Sequence, residues 1–64
     1  MPYEVLYMVR GEKDLGRVLK TFKNEARAFA FCRKIENFPA DTMHYAITCE
    51  DGRILHDTRK DGDL

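Results

Sequence analysis

Asp51-Gly52 separates two runs of strand-forming residues, and few dipeptides restrict a short chain as strongly. A two-residue type I′ hairpin turn needs positive φ at both central positions, which Asp-Gly tolerates well. Asp41 to Glu50 and Arg53 to Arg59 then read as paired antiparallel strands. In that register Glu50 faces Arg53, Cys49 faces Ile54, Ile47 faces His56 and Tyr45 faces Thr58. Strand alternation puts Met43, Tyr45, Ile47, Cys49 and Ile54 on one face, assigned to the core. His44, Ala46, Thr48, Leu55 and Asp57 fall on the other.

The first half of the chain repeats the hairpin plan. Tyr3 to Arg10 is rich in β-branched and aromatic residues and apolar on both parities, the mark of a strand covered on both faces. Gly11 and Gly16 bracket a short polar loop, and Arg17 to Lys23 returns as a second strand. Alternation along it groups Lys20 with Val18 and Phe22, and Arg17 and Lys23 with Leu19 and Thr21. Between the hairpins Asn24 is a helix N-cap and Glu25 an acid in the first turn, so a helix runs from Glu25 to about Asn37. Ala28, Phe31, Cys32, Ile35 and Phe38 share its apolar arc, with Phe29 at the edge. Phe38-Pro39 ends it, because a residue before proline avoids the helical region. Phe31, Ile35 and Ile47 should meet between helix and sheet. The element order is ββαββ. We therefore expect an α+β, two-layer fold, a four-stranded antiparallel sheet with one helix packed on one face. It forms a single domain over 1–60, with a flexible tail at 61–64.

Sixty-four residues allow one core. A hydrophobic share of 44% and zero net charge argue against disorder. No apolar run approaches the roughly 20 residues of a membrane span, and no leader precedes the first strand, so the expectation is a cytoplasmic protein away from membranes. A domain this small seldom encloses a pocket with a supporting shell, and small chains more often act through their surface. Cys32, His44, Cys49 and His56 are spaced by 12, 5 and 7 residues, unlike any finger or ribbon, so no metal is expected. Cys49 and His56 are diagonal neighbours in the hairpin and represent the thiol-enzyme alternative, but a cysteine on the core face is more often a small hydrophobe. Phosphate-binding loops, nucleophile elbows and paired catalytic acids are absent from the sequence, so neither a cofactor nor an enzyme is expected.

Charge is unevenly spread. Residues 10–34 hold eight basic and three acidic side chains, and residues 35–64 hold three and seven. Arg10, Arg17, Lys20 and Lys23 are the candidate partner-binding residues, suited to an acidic protein surface or to phosphate. Leu6, Tyr7, Met8 and Leu55 are the candidates for self-association as a homodimer, through a sheet face that the helix leaves open. The layout, with its closing CEDGRILHD hairpin, resembles very small phage-encoded ββαββ inhibitor proteins of the anti-CRISPR kind. That resemblance implies a binder that blocks or adjusts a larger machine. The expected function is a small non-enzymatic protein-binding module, an inhibitor or regulator of a larger protein or nucleoprotein complex. The alternative is a nucleic-acid-binding accessory protein using the basic hairpin, set against a neutral net charge that is unusual for such a protein.

Overall fold

The computed structural model describes residues 2–61, and the ββαββ arrangement is present. Strands β1 (Tyr3–Val9), β2 (Arg17–Phe22), β3 (Thr42–Thr48) and β4 (Ile54–Asp57) form one antiparallel sheet in the order β2-β1-β3-β4. Helix α1 (Glu25–Cys32) links the two hairpins and packs on one face. A 3-10 turn (Ile35–Asn37) follows it, and a single helical turn, α2 (Thr58–Asp61), follows β4. The tail expected at 61–64 lies, from residue 62 on, outside the described residues.

The core is built where α1 meets the two central strands. Val5 and Ile47 stand opposite each other across β1 and β3, and both are fully buried. Ala28 and Cys32, one turn apart on α1, complete the buried cluster. Their small side chains let the helix come close to the sheet. Asn24 starts α1 as expected: its side-chain oxygen accepts the Arg27 N–H at 3.1 Å. Around this centre runs a chain of ring contacts, Phe22–Phe31–Phe38–Tyr45–His56–Phe29, with centroids 5.0–6.1 Å apart. Val5 fixes the parity of β1: Tyr3, Val5 and Tyr7 face the helix side, and Leu6 and Met8 face the open side.

The helix is shorter than its apolar arc. It ends at Cys32, and the next N–H groups, of Arg33 and Lys34, tighten onto Ala30 and Phe31. The Asn37 side chain donates to the Phe31 carbonyl at 3.0 Å, occupying the acceptor that a continued helix would offer to Ile35. Ile35 is consequently 84% exposed and does not meet Phe31 and Ile47.

Each strand pair also carries one extra residue on one strand, so simple alternation fails three times. Leu19 and Lys20 together oppose Val5; Met43 and His44 together oppose Met8; Leu55 and His56 together oppose Ile47. The closing turn is a three-residue loop. Cys49 pairs with Arg53 through the Cys49 N–H, Gly52 donates to the Cys49 carbonyl, and only Gly52 takes positive φ, at 87°. Cys49 therefore faces Arg53, and Ile54 faces Thr48 on the open side, 46% exposed. The extra residue at Leu55 restores the expected Ile47–His56 pair and turns Leu55 onto the core. Met43 is 52% exposed for the same kind of reason.

β4 stops at Asp57 instead of continuing to Arg59. The Asp57 carboxylate accepts the Arg59 backbone N–H at 2.9 Å and bends the chain into α2. Thr58 still meets Tyr45, but through its hydroxyl, which accepts the Tyr45 N–H at 3.0 Å and donates to the Tyr45 carbonyl at 3.2 Å.

Two substitutions separate the core from the 3-10 turn. Ile47→Ala should cost about 2–5 kcal/mol, because the methyls it removes leave a cavity against Val5 and Ala28. Ile35→Ala should stay within about 0.5 kcal/mol, as an exposed position does. Urea melts followed by circular dichroism measure both, and an equal loss at the two positions would contradict the early helix end.

Candidate partner-binding surface

β2 is the sheet edge nearest the basic half of the chain. Arg17 opens it, Lys20 lies within it and Lys23 follows its last residue; all three are exposed. The extra residue at Leu19 regroups these side chains. Arg17 pairs with Tyr7 and Lys20 with Val5, so both cations lean to the helix side, together with Phe22. Val18 pairs with Leu6 and faces the open side. Arg17 and Lys20 thus share a face that strict alternation denies them.

Each cation is held differently. The Lys20 ammonium lies 5.6 Å from the ring centroids of both Phe22 and Phe31, a cation–π seat at the rim of the core. Arg17 donates through Nε to a Glu12 carboxylate oxygen at 2.7 Å. The other Glu12 oxygen accepts the Val9 N–H at 3.1 Å, which ties the β1–β2 loop back onto β1. The Arg17 hydrogen bond, followed by that of Val9, holds the Glu12 carboxyl below its ordinary value. Arg10 stands apart: it belongs to the turn leaving β1, and its N–H bonds the Asp41 carbonyl ahead of β3. Arg17, Lys20 and Lys23 therefore line one edge, and Arg10 does not belong to that line.

The self-association candidates divide between two faces. Leu6 and Met8 lie on the open side with Val18 and Ile54, whereas Tyr7 is on the helix side and Leu55 packs on the core. All seven Phe and Tyr side chains belong to the helix side or to α1 and the turn after it, so the open face carries no phenyl or phenol ring for a base to stack on, and His44 opposite Met8 is its aromatic group.

The remaining chemistry-bearing residues are scattered. Among the described residues no three His, Cys, Asp or Glu side chains gather in a metal-binding group. Cys49 accepts a contact from Arg53 Nη2 at 3.9 Å, and the His56 ring sits against Tyr45 and Phe29. Cys32 is buried, and burial pushes its thiol up to about 11. A groove of about 620 Å³ opens between the 3-10 turn and β3, lined by Ile35, Phe38, Pro39 and Met43 among others; none of its lining belongs to β2. Its rim carries Arg33 and Glu36, charges of both signs that select no partner. Among the described residues no helix is long and apolar enough to cross a membrane. Compared with models of known protein families, with curated proteins and with solved structures, the chain matches none.

The Glu12–Arg17 pair has a pH signature. Because the folded carboxyl titrates below its unfolded value, the pair is fully formed above the usual carboxylate range and is lost as pH falls through the depressed value. Arg17→Gln should raise the Glu12 midpoint in a carboxyl-detected NMR titration; an unmoved midpoint would contradict the pairing. The two thiols should also differ. At pH 8 Ellman's reagent should modify Cys49 quickly and Cys32 only on unfolding, and two equally fast thiols would contradict the burial of Cys32.

Proposed function

We propose that this chain is a small non-enzymatic protein-binding module, an inhibitor or regulator of a larger protein or nucleoprotein complex. The observation that carries this reading is the β2 edge. It is a solvent-exposed strand with Arg17, Lys20 and Lys23 along it and no acidic residue between them. Such an edge offers a partner both cations and free backbone groups. A protein with an acidic surface complements it. The resemblance of the ββαββ layout to small phage-encoded inhibitors supports the inhibitor end of this range. The open face, which carries no Phe or Tyr, favours a protein over a single-stranded nucleic acid, which would want such rings to stack on. The scattered cysteines and histidines favour binding over catalysis.

Exposed cations mainly set the rate of encounter, whereas buried apolar anchors set dissociation. Lys20→Glu should therefore lower the on-rate of the captured partner by about tenfold at low salt and weaken its salt dependence. Affinity capture followed by surface plasmon resonance across a salt series measures this. An on-rate unchanged by both Lys20→Glu and Lys23→Glu would remove β2 from the interface and redirect the search to Glu50, Asp51 and Asp57.

A further inference from the structure

We infer that the β2 edge takes up an extended segment of its partner as a fifth strand, and that this segment alternates acidic and apolar residues. The inference rests on the protein-binding reading above and names what the bound segment looks like.

The two sheet edges are unequal. β4 has four residues, and the chain then folds back into α2 through the Asp57–Arg59 contacts. β2 has six residues, and among the described residues no strand lies beyond it. An edge strand directs about half of its backbone N–H and C=O groups away from its neighbour, and an added strand satisfies them.

The side chains decide which strand is accepted. A fifth strand would place a residue beside Lys20 on the helix side, with Cβ atoms about 5 Å apart. The Lys20 ammonium rests over Phe22 and Phe31, beside the place that residue would take. An apolar neighbour there would strip water from the ammonium and return nothing, which is costly for a charge. A carboxylate would restore a partner. Arg17 has the same parity as Lys20, and with its Nε held by Glu12 it still has Nη donors to offer a second acid. On the other parity the incoming strand meets Val18, 51% exposed on the open side, where an apolar residue fits. Acid toward the helix side and apolar toward the open side is an alternating pattern.

The same charges exclude a second copy of the chain. Pairing two β2 edges would bring Arg17, Lys20 and Lys23 of each close to those of the other, and like charges on neighbouring strands repel. The edge is thus closed to itself and open to an acidic strand, a difference in affinity built by repulsion as much as by attraction.

The test titrates the isotope-labelled chain with an end-blocked heptapeptide of alternating glutamate and valine, read by NMR shifts and amide exchange. The controls are the lysine–valine peptide and the glutamate–valine peptide with every backbone amide N-methylated. The glutamate–valine peptide should bind at least tenfold more tightly than the lysine–valine one, shift the β2 amides most and slow their exchange. N-methylation should abolish this, and Lys20→Glu should reverse the preference between the two parent peptides. If the N-methylated peptide binds as well as its parent and β2 exchange is unchanged, strand addition is overturned while recognition of an acidic protein survives. Slow β2 exchange in the chain alone that depends on its concentration would overturn the proposal in favour of self-pairing. Displacement of the peptide by an equimolar thymidine hexanucleotide would overturn both the strand and the protein-binding reading.

Discussion

The close contact between Ala28 and Cys32 on α1 and the Val5–Ile47 pair in the sheet underlies everything else in this structure. Here the helix meets the sheet through small side chains. A helix held that near leaves space at its flanks, and the flanks fill with rings: Phe22 and Phe31 toward β2, Phe38 and Tyr45 toward β3, Phe29 and His56 toward β4. The aromatic chain is thus a consequence of the small residues at the centre. Its rings are all partly exposed, and at one end Phe22 and Phe31 form the seat of Lys20. Core packing and the candidate binding edge are therefore joined through two phenylalanines. The net stability of a domain this size is only ~3–10 kcal/mol, so loss of the central contact would take the edge with it.

Much of this was legible in the sequence, because much of it is local. Strand composition, the Asn24 cap and the polar loops identify the five main elements and their order, whereas the Ile47–His56 pair matches only because the extra residue at Leu55 offsets the longer turn. The parts that were not legible depend on tertiary choices. An extra residue in a strand shifts every side chain beyond it to the other face, and nothing in the local pattern marks Leu19, Met43 or Leu55 as that residue. The closing turn erred by one residue for a similar reason: Asp-Gly serves a two-residue loop and a three-residue loop equally well, and here Asp51 holds the Arg53 N–H with its side chain while Gly52 alone takes positive φ. Helix α1 has an apolar arc that continues past its end, but Asn37 claims the Phe31 carbonyl. The candidate site shared this fate. The cations on β2 were visible as a basic stretch, whereas the common face of Arg17 and Lys20 and the isolation of Arg10 emerge only from the register.

Sheet edges ordinarily need protection from unwanted pairing, and this protein protects its two edges by different means. β4 is short and bends away into α2, with Thr58 closing the hydrogen bonds of Tyr45. β2 stays extended, with one extra residue at Leu19, and relies on charge. Geometry closes an edge to all strands, but charge closes it only to strands that lack the opposite charge. A cationic edge is therefore guarded and selective at once. The open sheet face, with Leu6, Met8, Val18 and Ile54, adds apolar area next to that edge.

The central claim is that α1 pins β1 and β3 while β2 presents an unpaired outer edge. Native-state amide hydrogen exchange of the dilute chain, resolved by NMR, tests it most directly. The account predicts that the Val5 and Ile47 amides exchange only through global unfolding, while β2 amides that do not bond to β1 exchange near the rate of exposed loops. Uniform slow exchange along β2, equal to that of Val5, would show that the edge is already paired and would contradict the account.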